Sequence, residues 1–235
     1  IKSVCYKNNL YEVTGHDGEI VLTNHMEKFF SIIEKMFSEY RNKLEKKAFI
    51  SDNYKTNCFL AQEEKIFWVT YILIQILRMP QVLELAERVS LKTWTELNNR
   101  QAKNVARRFC LPFFGDIEME SKEMILFTSL FEPMKDMFFG IGVDLQGRII
   151  TSDNPVYIYS KEFPCKEYER IIFPISSQLC LFMFGKGYKE IQRKNFLFQI
   201  DEYFRKQIIK SVSARAFSKV YSNHDFNAKE RKYIK

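Results

Sequence analysis

The stretch "FFGIGVDLQGRIITSDNPVYIYS", residues 138–160, decides the fold class because the hydrophobic pattern changes there from helical to strand-like. Before this stretch, apolar residues recur every three or four positions, whereas within and after it short β-branched and aromatic runs alternate with turn residues. We expect a β-hairpin that turns at Gln146-Gly147, with Val143 before the turn and Ile149-Ile150 after it. Helices followed by a mostly antiparallel sheet indicate an α+β fold.

The sequence that follows is expected to complete the sheet and close it with a helix. Two further strands are predicted at Ile171–Phe173 and Leu179–Phe184, where apolar residues run without interruption. The last helix is predicted to open at Asn195, because the following apolar residues recur on one side of a helix: Phe196, Ile200, Tyr203, Phe204, Ile208 and Val212. The sheet and this helix should occupy about residues 138–222, followed by a tail, 223–235.

The earlier part of the chain is predicted to be helical after a short hairpin around Asp17-Gly18. The apolar stripe of the first helix runs to about Lys47, and a second helix, from about Phe59 to Leu77, is apolar on nearly all sides and should be central. Arg78-Met79-Pro80 ends it, because a residue before proline avoids helical geometry. A third helical run is predicted from Gln81 to Phe109.

Composition predicts one ordered domain over residues 1–235, with its helical portion ending at about residue 137. The chain has 46% hydrophobic residues, only 8 glycines and 6 prolines, and is long enough to bury a large core. Its most apolar window, Ile66–Leu77, is shorter than the roughly 20 residues that cross a bilayer. No secretion signal opens the chain, so we expect a cytoplasmic protein with no membrane partner.

The charge balance favours a polyanionic partner. Formal net charge is +7, and the densest positive patch contains Arg100, Lys103 and Arg107. Their spacing places these three side chains on one face of a helix, where they would suit the phosphates of a nucleic acid. The alternative interpretation is a solvated helix flank.

Short catalytic and metal-binding signatures are absent. The sequence contains no nucleotide-binding glycine loop, nucleophile elbow, zinc helix motif or calcium loop. The three histidines, His16, His25 and His224, pair with no cysteine in sequence. We expect reduced thiols rather than a zinc site, because the five cysteines are far apart: Cys5, Cys58, Cys110, Cys165 and Cys180.

The interruption of a strand-like run by Ser152-Asp153-Asn154-Pro155 is the main candidate for a site. In one hypothesis the protein is a phosphodiesterase, in which Asp153 and one or two of Glu12, Glu27 and Glu34 bind a divalent metal, with Mg²⁺ favoured by the oxygen ligands. The catalytic residues would then be Asp153, Asn154, Glu34 and Arg78.

Two other functional classes use the same residues. In a binding or regulatory module without chemistry, Asp153 and Asn154 would bond backbone groups and shape the turn before Pro155. Glu27 and Glu34 would then form a solvated helix flank, and Arg78 would only cap a helix. The third class is a toxin-like effector with a neutralising partner. The residues leave open whether the protein is an enzyme and which oligomer it forms.

Four segments together resemble a known family: "RMP" at 78–80, "ITSDNPV" at 150–156, "IIFPISSQLCLFM" at 171–183 and "ARAFSKVYS" at 214–222. They are similar to a bacterial family known as domain of unknown function 4238. The resemblance implies a fold and a choice of residues, but no mechanism. Family members usually open with a segment around His-x-x-Pro, and no counterpart of it stands ahead of Cys5. If that histidine takes part in a site, the resemblance implies that this part of the site is missing. The resemblance also implies an association with mobile or phage-defence genes.

Overall fold

The helices come first in the chain and the main sheet follows, as the change of pattern at residue 138 predicts. The structure is a computed structural model that describes residues 13–14, 20–22, 25–50, 60–107, 121–159, 169–188 and 196–234. A small hairpin precedes the helical part. The elements of this half are β1 (Val13–Thr14), β2 (Ile20–Leu22), α1 (His25–Ile50), α2 (Gln62–Leu77), α3 (Pro80–Thr93), α4 (Asn99–Arg107) and α5 (Ser121–Lys135).

The second half builds a five-stranded mixed sheet and the elements that close it. These are β3 (Phe138–Val143), β4 (Thr151–Ser152), β5 (Tyr157–Tyr159), β6 (Arg170–Pro174), β7 (Leu179–Phe184), β8 (Phe196–Gln199), α6 (Glu202–Arg215), β9 (Val220–Tyr221) and α7 (Ala228–Arg231). The strand order is β5-β6-β7-β3-β8, and β4 pairs with β9 in a separate two-stranded sheet. Only the β3–β8 pair of the main sheet is parallel. The predicted α+β class is confirmed.

The main sheet is buried on both faces because its strands carry apolar side chains in both directions. On β7, Leu181 and Met183 pack into the core formed with α2, whereas Cys180 and Phe182 pack on the side of α6. Each fully buried large side chain of this kind contributes about 1.5–3 kcal/mol. The sheet therefore forms the middle of three layers, with the early helices on one face and α6 on the other.

Helix α2 is the central helix that its composition predicts. Ten of its residues are buried, including Trp68 and Ile72. It ends at Arg78, and Pro80 occupies the first turn of α3, where its missing N–H costs nothing. Among the described residues no single helix is long and apolar enough to cross a membrane, although α2 and residues 81–93 together have the length and composition and meet at 85°.

The predicted hairpin at Gln146-Gly147 is wrong. The chain does turn there: the N–H of Gly147 donates to the carbonyl of Asp144 at 3.0 Å, and Gly147 has a φ of 64°, which glycine adopts without strain. Ile149 and Ile150, however, do not pair with β3, because β7 and β8 occupy its two edges. The N–H of Ile149 donates instead to the carbonyl of Ser177 at 2.9 Å.

The predicted start of the last helix at Asn195 is also wrong. Phe196–Gln199 is β8, and α6 begins at Glu202. Asp201 sets this start, because its carboxylate accepts the N–H of Phe204 at 2.8 Å as an N-cap.

The third helical run is two helices rather than one. Helix α3 ends at Thr93, and α4 begins at Asn99. Asn98 and Gln101 form reciprocal bonds of 2.9 Å between side chain and backbone, a capping box that starts a new helix. The remainder of the predicted run, after Arg107, lies outside the described residues.

Candidate functional site

A cavity of about 510 Å³ lies where α1 and α2 meet the loops beside the main sheet. We call it the Arg41–Arg78 pocket. The described residues that line it are Phe37, Arg41, Tyr71, Gln75, Arg78, Ile149, Thr151, Pro155, Phe173, Pro174, Ile175, Ser176, Ser177, Tyr221, Ser222 and Asn223.

The four sequence segments with a family resemblance converge on this pocket. They are far apart in the chain, yet each supplies lining residues: Arg78 from the first segment, Thr151 and Pro155 from the second, residues 173–177 from the third, and Tyr221 and Ser222 from the fourth. The pairing of β4 with β9 brings the second and fourth segments together, through Thr151 opposite Tyr221. The pocket is therefore the place where these segments meet in space.

Two arginines make the pocket positive. Arg41 lies on α1 seven positions after Glu34, so both occur on one face of the helix. Arg78 is the C-cap of α2, and its Nη1 lies 3.7 Å from Oε1 of Glu34. The Glu34 side chain is 64% exposed and the Arg78 side chain 31%. Glu34 is thus an exposed carboxylate beside the Arg78 guanidinium.

The donors of Arg41 are incompletely used within the described part of the chain. Its Nη2 donates to Oδ1 of Asn42 at 3.3 Å, whereas its Nε–H is buried and has no hydrogen-bond partner there. Buried donors in proteins are rarely left without an acceptor. An acceptor brought by a ligand would satisfy this group.

Aromatic side chains form the wall beside the arginines. The ring of Phe37 stacks on that of Tyr71 with centroids 4.5 Å apart, and Phe173 lies 5.8 Å from Tyr71. Burial raises the pKa of Tyr71 to about 12, with Arg78 lowering it and Glu34 raising it by smaller amounts. The phenol is therefore protonated at neutral pH and can act as a hydrogen-bond donor.

Asp153 and Asn154 turn away from the pocket. The Asp153 carboxylate accepts the N–H groups of Phe217 and Ser218 at 2.8 Å and that of Lys219 at 3.1 Å. Nδ2 of Asn154 donates to the carbonyl of Arg215 at 3.0 Å. The two side chains thus connect the turn before Pro155 to the end of α6, while Thr151 and Pro155 on either side of them line the pocket.

Asp153 and Glu34, the predicted metal ligands whose side chains are described, have different partners. Glu34 pairs with Arg78, and Asp153 bonds backbone groups. Glu27 lies in the first turn of α1, but its side chain is outside the described residues, as is Glu12. In the part of the chain that the structure describes, no three His, Cys, Asp or Glu side chains form a group that could hold a metal ion.

The predicted nucleic-acid patch belongs to α4 and does not line the pocket. Arg100 and Lys103 are half-buried there and interact with other groups of the protein. Arg107 ends the helix, and its side chain lies outside the described residues.

A second cavity, of about 810 Å³, lies between the end of β3, α6 and the C-terminal segment. Its central charges neutralise each other: Nη2 of Arg205 lies 2.8 Å from Oδ1 of Asp144, and its Nε lies 3.0 Å from Oδ2. The Asp144 carboxylate also accepts the N–H groups of Gln146 and Arg148 at 3.0 Å. We take the smaller pocket as the candidate site, because the buried Nε–H of Arg41 in its lining has no acceptor among the described residues.

Sequence reasoning selected Arg78 but missed most of the pocket. The seven-residue spacing of Glu34 and Arg41 was a usable signal, because it places both on one side of α1. Ser176 and Ser222 lie in the third and fourth family segments, but nothing in sequence singles them out within those segments, and Tyr71 occurs in an ordinary helical context. Their grouping depends on tertiary contacts.

Together these features define an α+β protein with an arginine-lined pocket walled by aromatic rings. The family described as "Protein of unknown function (DUF4238)" matches residues 1–226, and the chain belongs to this family. The resemblance read from the four segments is therefore confirmed. No curated protein and no solved structure matches the chain.

Proposed function

We propose that this protein binds a phosphate-bearing ligand of the nucleotide class in the Arg41–Arg78 pocket. The observation that supports the proposal most directly is the buried Nε–H of Arg41, which lacks an acceptor within the described residues beside a second arginine. A guanidinium group suits a phosphate because its donors form a planar fork that matches two phosphate oxygens.

The size and the wall of the pocket favour a nucleotide over inorganic phosphate. Small-molecule pockets in proteins are commonly 300–1,000 Å³, and this one has about 510 Å³. The Phe37, Tyr71 and Phe173 rings offer apolar surface on which a base can stack. Gln75, which is 3% exposed, and the pocket hydroxyls supply polar groups for a base edge or a sugar.

A nucleic-acid end is one form of this ligand. The net charge of +7 favours approach of a polyanion, and the predicted basic patch of Arg100, Lys103 and Arg107 would add to this attraction. In this proposal Asp153 and Asn154 have the structural role of the binding-module hypothesis, supported by their bonds to residues 215–219. No contact among the described residues favours the toxin-like hypothesis over the binding-module hypothesis.

Calorimetric titration with nucleoside monophosphates and a phosphorylated single-stranded DNA hexamer tests the proposal. We expect saturable binding by the wild type. Arg41→Met and Arg78→Met should each weaken it about tenfold or more, equivalent to roughly 1.4 kcal/mol. Glu34→Gln should tighten binding, because it removes a carboxylate that competes with the ligand for Arg78.

Arg88→Met is the matched control. Arg88 is exposed on α3 and bonds the carbonyl of Glu84, so its replacement removes the same charge without touching the pocket. Absence of binding to every probe would overturn the proposal. So would equal weakening in the Arg41→Met and Arg88→Met proteins, since that result would attribute binding to net charge alone.

A further inference from the structure

Ser222 is joined to a histidine and a glutamate at the edge of the Arg41–Arg78 pocket. Its Oγ lies 2.7 Å from Nδ1 of His224, and Nε2 of His224 lies 3.2 Å from Oε1 of Glu230. The side chains of His224 and Glu230 are only 18% and 7% exposed. The three groups form a continuous hydrogen-bonded chain from Ser222, a residue of the pocket lining, to a buried carboxylate.

The chemistry of the three groups sets the direction of the hydrogen bonds. A carboxylate accepts only, so Nε2 of a neutral His224 must carry the proton that it donates to Glu230. Nδ1 is then an acceptor, and the Ser222 hydroxyl donates to it. Either imidazole nitrogen can act as the base when the other is held in this way. This order of nucleophile, base and orienting carboxylate is the arrangement used by serine enzymes on several unrelated folds.

We propose that Ser222 is the nucleophile of a phosphodiester-cleaving site, with His224 as general base and Glu230 as the residue that positions His224. This inference rests on the proposed function, because Arg41 and Arg78 would hold the phosphate of the substrate. Their positive charge would also stabilise the additional negative charge of the transition state.

Atoms and charges balance in two steps. In the first, Ser222 Oγ bonds to phosphorus as the bond from phosphorus to the leaving-group oxygen breaks. The serine proton passes to Nδ1 of His224 and from there to the departing alkoxide. In the second, His224 removes a proton from water, which attacks phosphorus and displaces Ser222; the proton returns to Oγ. The products are an alcohol and a phosphate monoester.

Asn223 fits the charged intermediate of this sequence. Its Oδ1 lies 3.2 Å from Nδ1 of His224 and can accept a hydrogen bond from this nitrogen once it has gained the proton of Ser222. The imidazolium would then donate to Asn223 on one side and to Glu230 on the other.

A purely structural role for the cluster is the competing explanation. The backbone N–H of His224 donates to Ser222 Oγ at 3.0 Å, and that of Asn227 donates to Oε2 of Glu230 at 2.9 Å, as in an ordinary turn and helix cap. These bonds do not require an imidazole between the two side chains. An experiment must therefore separate the reactivity of Ser222 from the folding of the segment.

Labelling with a fluorophosphonate probe, read by peptide mass spectrometry on the full chain, separates the two. We expect an adduct on Ser222 and turnover of bis(para-nitrophenyl) phosphate. Ser222→Ala should abolish both. His224→Gln should slow labelling by about 10²–10⁴-fold. Ser218→Ala, which removes an exposed hydroxyl of the same segment, is the control and should label normally.

Glu230→Gln tests the positioning role. Glutamine keeps an oxygen for the N–H of Asn227, but its amide would donate to Nε2 of His224 and reverse the tautomer. We expect labelling to slow at least about tenfold with an unchanged thermal midpoint, a split that a helix cap would not produce. Nucleotide binding without labelling of Ser222 would overturn this inference and leave the proposed function standing. Labelling without nucleotide binding would overturn the phosphodiester assignment.

Discussion

Asp153 holds together two segments that are distant in sequence. Its carboxylate accepts three backbone N–H groups from residues 217–219, and its own N–H donates to the carbonyl of Lys219 at 3.1 Å. A carboxylate offers roughly four acceptor positions, so most of its capacity is used. The Asp153-Asn154 pair, which stands out in sequence, thus stabilises the loop that carries Thr151 and Pro155 into the pocket lining.

Replacement of Asp153 should therefore reduce stability. We expect Asp153→Ala to lower the free energy of unfolding by about 1–3 kcal/mol, because it leaves backbone donors unpaired. Asp153→Asn should lose less, since one oxygen remains. Urea denaturation measures both. A fully stable Asp153→Ala protein that no longer binds nucleoside monophosphates would contradict the structural role and support the catalytic alternative.

Asp144 and Arg205 form a deeply buried ion pair. The side chain of Asp144 is 0% exposed and that of Arg205 14%. Burial by itself raises the pKa of Asp144, but hydrogen bonds from Arg205 and from the backbone of Gln146 and Arg148 outweigh it and lower the pKa below the usual 3.8. This carboxylate therefore stabilises the fold above the pKa of the unfolded chain, and the contribution is lost as pH falls through the lowered pKa.

The Arg205→Met variant should show how much the free energy of unfolding depends on the Asp144–Arg205 pair. At neutral pH we expect a loss of about 3–5 kcal/mol, because a buried carboxylate is left without its cation. The difference from the wild type should shrink as pH falls from neutral into the acid range, because burial without the Arg205 cation raises the pKa of Asp144, and the variant therefore protonates this carboxylate at a higher pH than the wild type. Urea denaturation across this pH range measures it. The Asp144→Asn, Arg205→Met double variant should recover part of the loss; a double variant less stable than Arg205→Met would refute this account.

Among the elements, β8 shows why local pattern was insufficient. Phe196, Ile200 and Phe204 recur every four positions, which predicts a helix, but in the structure Leu197 packs toward α2 while Phe196 and Phe198 pack toward α6. This two-residue alternation is that of a strand. Its partner, β3, lies far upstream and pairs with it in parallel, a contact that no local sequence signal reports.

Other elements were predictable because their signals are local. Pro80 forces the end of α2, and the uninterrupted apolar runs of β6 and β7 match a sheet buried on both faces. The capping boxes at Asn98 and Asn227 also have local signals, Asn-x-x-Gln and Asn-x-x-Glu, but the prediction of one helix from Gln81 to Phe109 overlooked the box at Asn98. The hairpin prediction was wrong because a turn at Gly147 does not determine which strand pairs with β3.

The close approach of β8 to β3 depends on glycine in β3. A Cβ on Gly142 would lie 2.7 Å from side-chain carbons of Ile200, and one on Gly140 would lie 2.9 Å from Phe196. We expect Gly142→Ala to cost about 1–3 kcal/mol by overpacking. Ile200→Ala alone should cost about 2–5 kcal/mol.

The double variant, Gly142→Ala with Ile200→Ala, tests this packing directly. Its loss in urea denaturation should be smaller than the sum of the two single losses, since the smaller side chain at position 200 makes room for the added methyl group. Additive losses would show that the two positions do not compete for the same space.

At the scale of the whole molecule, the fold class could be predicted from sequence, whereas most of the candidate site could not. The α+β class follows from periodicity, which each segment carries by itself. The site requires four segments to meet, and of the charged groups in and beside the pocket only Glu34 and Arg78 were singled out, Arg78 because Pro80 places it at the end of a helix. His224 was considered as a partner for cysteine, whereas the structure places it beside Ser222 and Glu230.

The position of the C-terminal segment has a consequence for protein synthesis. All strands of the main sheet precede Asp201 in the chain. The backbone groups that bond Asp153, and the Ser222, His224 and Glu230 side chains, come later, from residues 217–230. A growing chain emerges from its N-terminus, so the hydrophobic core can form before the site exists. A message truncated shortly after α6 would therefore yield a protein with its central layers but without the cluster at the pocket.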